Sequence, residues 1–220
     1  MSNDISLVGL LAFASLLPFL VAAGTCYLKF SIVFVIVRNA LGLQQVPSNM
    51  VLNAVALFMA VFVMMPVAKP AYDYHAENPV NFARQESVSA FVESGLGAYR
   101  DYLQKYSDPE LAAFFDTLQR DRIALKHDEA PSAEAQPSIV ALMPAYALSE
   151  IKSAFEIGFY IYLPFVVVDL VISSILLALG MMMMSPIIIS VPIKLILFVA
   201  LDGWTLLGKG MILQYVDLGT

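Results

Sequence analysis

LVISSILLALGMMMMSPIIISVPI, residues 170–193, runs for 24 positions without a charge and carries a Gly180 to Pro186 turn signal near its middle. Crossing the hydrocarbon core takes about 20 apolar residues at about 1.5 Å of rise each. Glycine and proline are the strongest local breakers of such a run. The stretch therefore reads as two apolar helical arms joined at Gly180, Ser185 and Pro186. Upstream, Ile157 to Val168 leads into Asp169 and lengthens the first arm. Downstream, Lys194, Leu195 to Leu201, Asp202 and a last apolar piece to Leu207 lengthen the second.

The same pattern recurs at the other end of the chain. Residues 5–28 hold no charge until Lys29, and after Arg38 none appears from Asn39 to Ala68. A polar, turn-like stretch around Pro47, residues 41–48, divides that second run from the apolar Met50 to Val67. Lipid offers no hydrogen bonds to a backbone, so these runs are expected to be helices. The predicted fold is all-α and of the integral-membrane type, with two hydrophobic helical hairpins, residues 1–68 and 137–220, separated by a polar, helical segment.

Bulk chemistry agrees. The 220 residues are 60% hydrophobic and 14% charged, with a mean hydropathy of +0.77. Soluble domains run at about 45–50% apolar and about 25% charged. A net charge of −6 argues against nucleic acid, which needs clustered Lys and Arg. The lone Cys26 excludes an internal disulfide and reads as a small buried hydrophobe. Residues 1–4 carry no basic residue and the following run is long for a secretory signal, so this segment is expected to be retained, although Ala22-Ala23-Gly24 resembles a cleavage site.

The middle segment, residues 69–136, holds seven Lys or Arg and twelve Asp or Glu, a balance of 7 − 12 = −5. Ser107-Asp108-Pro109-Glu110 has the spacing of a capping box, and Leu111, Phe114, Phe115 and Leu118 follow it on one helical face. Phe91, Leu96, Tyr99 and Leu103 suggest an earlier amphipathic helix broken by glycines. Residues 127–136 read as a flexible loop. Arg38, beside a short turn, places that turn in the cytoplasm and both termini and the middle segment outside it.

Catalytic constellations are missing from the sequence. It has no phosphate-cradling Gly-rich loop, no nucleophile elbow, and only His75 and His127 as histidines, without metal-ligand spacing. Asp169 and Asp202 lack the setting of a membrane aspartyl protease. The expectation is no enzyme, no cofactor and no metal. What remains is a set of charges in apolar runs: Lys29, Glu150, Lys152, Glu156, Asp169, Lys194 and Asp202. Such charges face protein or water, because an isolated one costs at least about 2.5–3.5 kcal/mol near the bilayer centre. Lys152 and Glu156, four apart, and Asp202 and Lys209, seven apart, each share a helix face. Asp169 and Lys194 have no partner within their own helices. A proton or ion relay of a small transporter is one reading, but the mixed signs and scatter favour salt bridges between helices or subunits.

Met181, Met182, Met183 and Met184 occupy the second turn. Methionine is unbranched and polarizable and adapts to changing surfaces. In a multi-copy ring such turns would form a soft apolar collar able to stop ions by dewetting. A hairpin tip dipping into lipid or packing on a neighbour explains the same four residues.

Pro144-Ala145-Tyr146-Ala147-Leu148-Ser149-Glu150-Ile151 and Ala154-Phe155-Glu156-Ile157-Gly158-Phe159 resemble the first signature of the FliP/SctR (YscR, SpaP) export-apparatus family of type III secretion. Pro164 to Asp169, Ala178 to Pro186 and Leu201-Asp202-Gly203-Trp204 resemble its second region, and Arg38 to Pro47 also fits. The likeness covers both hairpins and is closest to the SpaP-like, injectisome branch. It implies a pentameric ring within a cone-like complex with SctS-like and SctT-like subunits. That complex is the portal by which unfolded proteins leave the cytoplasm, set in the bacterial inner membrane at the centre of the needle-complex base. SctU-like and SctV-like subunits and the inner rod are further implied partners. The family's methionine gasket corresponds to Met181 to Met184 and its conserved aspartate to Asp169. The resemblance also implies that apolar hairpins record membrane insertion and burial between subunits, since the cone can stand out of the membrane plane.

Overall fold

A computed structural model of the chain describes residues 11, 15–16, 18–78, 85–124, 136–181 and 183–216. Among these the regular structure is helical: α1 is described over Pro18–Gly24, followed by α2 (Tyr27–Ala40), α3 (Asn49–Glu77), α4 (Gln85–Ala90), a π-helical turn (Phe91–Gly95), α5 (Gly97–Tyr106), α6 (Pro109–Ala124), α7 (Ile139–Ala178), α8 (Ile187–Ala200) and α9 (Gly203–Val216). α3 and α7 are each long and apolar enough to cross a membrane. α1 with α2, and α8 with α9, add two more candidates if each bent pair counts as one span.

The four apolar arms read from the sequence thus differ in kind. α7 begins at Ile139, well before the apolar run at Ile157, because Ser138 caps it. The Ser138 hydroxyl accepts from the N–H of Ala141 at 3.2 Å, and its carbonyl accepts from Leu142 at 3.0 Å. α3 continues through Pro66 and Pro70 to Glu77. The arm expected to run from Lys194 to Leu207 is instead bent by 59° between α8 and α9. Asp202 stands at that break with φ +51°, and a Cβ on Gly203 would run into the Phe198 ring. Aspartate is one of the few side chains that enter the left-handed region readily.

The residues form two compact units, 1–28 with 64–151, and 29–63 with 152–220. In the first, Cys26, Tyr102, Leu103, Ala141, Leu142, Ala145 and Tyr146 are buried. Tyr99 donates to the carbonyl of Gly24 at 2.9 Å, and a Cβ at Gly24 would collide with that hydroxyl. The glycine-marked break in the middle segment is the π turn, where Leu96 N–H reaches back to Phe91 at 3.1 Å.

The capping box expected at Ser107 is not the cap that forms. Ser107 Oγ turns back to the Leu103 carbonyl at 2.7 Å, and the α6 cap is Asp108, whose carboxylate accepts from Glu110 N–H at 3.0 Å. The Asp108 N–H is taken by Ser149 Oγ on α7 at 2.7 Å. A tertiary partner thereby shifts the cap by one residue. On α6, Phe114 and Leu118 are exposed, while Leu111 and Phe115 are partly covered. Of the loop expected at 127–136, residues 127–135 lie outside the described residues, and Gln136 accepts from Arg100 at 3.2 Å.

In the second unit, α3 buries Leu52, Ala56, Ala60 and Val63, a stripe at helical spacing whose two alanines allow close approach. α7 crosses α2 at Gly158, where a Cβ would lie 2.6 Å from Ile36. The opposite faces are also apolar: Phe58, Phe62, Leu170, Ile175 and Ile196 are exposed. A surface of this kind suits lipid or other subunits rather than water.

Candidate functional site

Both hairpin turns leave their first helix in the same way. At the end of α2, Gly42 (φ +79°) donates to Asn39 at 2.9 Å and Leu43 to Arg38 at 3.2 Å. At the end of α7, Gly180 (φ +72°) donates to Leu177 at 3.0 Å and Met181 to Leu176 at 2.9 Å. These are Schellman caps, with glycine at the left-handed position and the orphan carbonyls satisfied. The backbone can therefore reverse without water, as an apolar setting demands.

Past Gly180 the second turn projects Met181, Met183 and Met184 outward. Met183 is fully exposed, and Met181 and Met184 are exposed as well, beside Leu179, Ile187 and Ile188. Gly180, Met181, Met183, Met184, Ser185 and Ile188 surround an open hollow of about 610 Å³. Met182 lies outside the described residues. α8 then starts behind Pro186, whose carbonyl accepts from Ser190 at 2.9 Å. The turn offers sulfur and hydrocarbon, with no ionisable group among its lining residues.

Behind this tip lies a polar pocket of about 310 Å³ lined by Asn39, Gln44, Tyr162, Asp169, Ser190 and Lys194, with four apolar or glycine neighbours. Lys194 Nζ on α8 donates to the Asp169 carboxylate on α7 at 2.5 Å and to the Ala40 carbonyl at 3.2 Å. Ala40 closes α2, so its carbonyl belongs to the negative end of that helix. One buried ammonium thus ties three helices together. Arg38 does similar work at the first turn. Its guanidinium donates to the Pro47 carbonyl at 3.2 Å and to Asn49 Oδ1 at 2.6 Å, which pins the turn to the start of α3. The peptide before Pro47 is cis.

The other charges lie elsewhere in the two units. Lys29 is buried, its ammonium 3.5 Å from Gln214 Oε1 and 4.7 Å above the Tyr215 ring. Glu150 is 1% exposed in the core of the first unit. Its carboxyl lies near enough to Tyr102 to raise that phenol electrostatically, behind the larger effect of burial and the effect of Cys26. Tyr102 and Tyr146 share a hydrogen bond of 2.5 Å, and burial pushes Tyr99 up to about 12. Lys152, Glu156, Asp202 and Lys209 are exposed. Among the described residues no three His, Cys, Asp or Glu gather as a metal site.

Sequence reasoning singled out Asp169 and Lys194 without joining them, since their contact spans a turn. It missed the tyrosine cluster, although Tyr99, Tyr102 and Tyr106 stand at helical spacing. It used Arg38 for orientation and within the family resemblance, without placing it in the turn's clamp.

Comparison with known proteins gives the following. The FliP family model matches residues 10–211. The chain is 63% identical over 224 residues to the surface presentation of antigens protein SpaP of Salmonella typhi, covering the whole of both chains. It is 42% identical over 213 residues to the Yop proteins translocation protein R of Yersinia pestis, covering 97% of each. It is 37% identical over 202 residues to the harpin secretion protein HrcR of Erwinia amylovora, covering 92% of each.

Proposed function

The chain belongs to the FliP family, and from that premise we propose that it is a core subunit of a type III secretion export apparatus, one of several copies lining the portal for unfolded substrates. Its relatives are named for secretion and translocation. The observation that carries the reading is the methionine turn: three apolar thioethers held in the open by a Schellman cap, beside exposed Leu179, Ile187 and Ile188. A ring of such tips makes a collar that seals against ions by dewetting and yields to a passing chain. The partners are SctS-like and SctT-like subunits within the pore complex, with SctU-like and SctV-like subunits and the needle base around it. The middle segment lies on the periplasmic side of the inner membrane. The Asp169–Lys194 pair supports assembly rather than a relay, because Lys194 is already committed to a carboxylate and a helix end.

The native mass of the full chain, purified in mild detergent alone and with its partner subunits, tests this. A multi-copy ring that takes up partners is expected. A strict monomer under both conditions overturns the portal. In the assembled ring, replacing Met181 to Met184 by alanine is expected to leak ions, and a tight variant ring overturns the collar.

A further inference from the structure

The Asp169–Lys194 pair is satisfied on one side and open on the other. Lys194 spends two of its three N–H groups, on Asp169 Oδ2 and on the Ala40 carbonyl. The third has no partner among the described residues. Asp169 accepts from Lys194 through Oδ2, and its Oδ1 has no partner among the described residues either. A salt bridge thus holds one spare donor beside one spare acceptor, and both residues line the polar pocket of about 310 Å³. Ligand pockets run from about 300 to 1,000 Å³, so this one suits a small group.

Charge selects what that group can be. Lys29, Arg38, Lys152, Glu156, Asp202 and Lys209 are the other charges described in this unit, and none lines the pocket. Asp169 and Lys194 therefore leave it without net charge. An anion entering it would meet the Asp169 carboxylate, and a cation would meet the Lys194 ammonium. A neutral group that accepts and donates at neighbouring atoms meets neither objection. The amide is such a group, its oxygen accepting from Lys194 and its N–H donating to Asp169 Oδ1. At the mouth, Asn39, Gln44 and Tyr162 are exposed and can pair with the amides on either side.

The pocket adjoins the methionine tip. Ile187 lines the pocket, while its neighbour Ile188 lines the hollow beside Met181, Met183 and Met184. An unfolded chain passing those thioethers would lose water from its peptide groups and gain no hydrogen bonds there, which is costly. Lys194 and Asp169 supply the missing donor and acceptor. In a second copy of this chain the main-chain amides of the helices are already bonded to one another. An unfolded polypeptide offers its amides free, whatever its sequence.

We infer that this pocket binds a main-chain amide of an unfolded polypeptide, paired between Lys194 Nζ and Asp169 Oδ1. The inference rests on the portal reading and names the part of the substrate that is recognised, the backbone rather than the side chains.

Photo-crosslinking on the full chain in mild detergent tests it. A p-benzoylphenylalanine replaces Tyr162, and the probes are a biotinylated Gly-Ser repeat peptide and its N-methylated analogue. N-methylation removes the amide donors and adds hydrocarbon, so apolar contact alone would favour the analogue. The expected result is saturable labelling by the parent peptide, weaker with the analogue by about threefold to tenfold, the range for loss of one hydrogen bond. Asp169→Leu is expected to abolish that preference. If Asp169→Leu fails to fold, Gln44→Phe obstructs the mouth from an exposed position and is expected to lower labelling by the parent peptide. Equal labelling by the two peptides, or labelling unchanged in Gln44→Phe, overturns the amide site. Crosslinks to a second copy alone, undiminished by the peptide, also overturn it and assign the pocket to contact between subunits. Absence of any crosslink overturns it as well. The portal reading is judged by native mass and ion leakage, so a ring that forms without labelling the peptide sinks this inference alone.

Discussion

Lys194 and Asp169, 25 residues apart, meet at 2.5 Å across the second turn, with the Lys194 side chain 6% exposed and the Asp169 side chain 41% exposed. The asymmetry decides how the pair responds to mutation. The carboxylate can be hydrated if its partner is lost, whereas the nearly buried ammonium depends on its two protein acceptors.

Asp169→Asn is therefore expected to destabilise the chain by roughly 1–3 kcal/mol, below the full cost of breaking a wholly buried pair because Asp169 is part solvated. Exchanging the two residues is not expected to rescue it, since an aspartate at 194 would then face the Ala40 carbonyl. Denaturant unfolding in detergent checks both, and full rescue by the exchange would refute the three-helix tie.

Gly42→Ala is expected to cost more than Gly180→Ala. Each forces an L-residue into the left-handed region, at about 1–2 kcal/mol. At Gly42 the new Cβ would also lie 2.6 Å from Val191, while at Gly180 nothing stands within 4 Å. Thermal unfolding of the two variants should separate by the cost of moving α8, and equal melting temperatures would show that the Val191 contact is unimportant.

Asp108→Ala is expected to cost about 1 kcal/mol through loss of the α6 cap. Ser149→Ala should cost a similar amount, because it leaves the Asp108 N–H without its tertiary acceptor. If the capping box were centred on Ser107, Ser149→Ala would be neutral. Amide exchange across residues 109–112 distinguishes these cases.

Stability should fall as pH rises from about 10 to 12. Tyr99 ionises at about 12 in the fold against 10 when unfolded, so in that interval the unfolded chain binds fewer protons and is favoured. Tyr102 shifts in the same direction, chiefly by burial. Tyr99→Phe should flatten the slope, and a pH dependence identical to that of the parent would argue against burial of this phenol.

Helices, their approximate number and the two turns were legible in the linear sequence, because exclusion of water from an apolar run forces a backbone to bond within itself. Gly42 and Gly180 show this most directly: a turn in such surroundings needs glycine in a left-handed cap, and glycine is visible by eye. The run of four consecutive methionines at the second turn was equally plain in the sequence. Other features depended on residues distant in sequence. The Asp108 amide finds Ser149 on α7, Lys194 finds Asp169 across a turn, and Tyr99 reaches the Gly24 carbonyl. These are choices among locally equivalent options, and only packing could make them. Hydropathy reports the free energy of leaving water, which each residue carries alone. Which partner replaces the water is a property of two segments at once, and for that reason only the tertiary structure decided it.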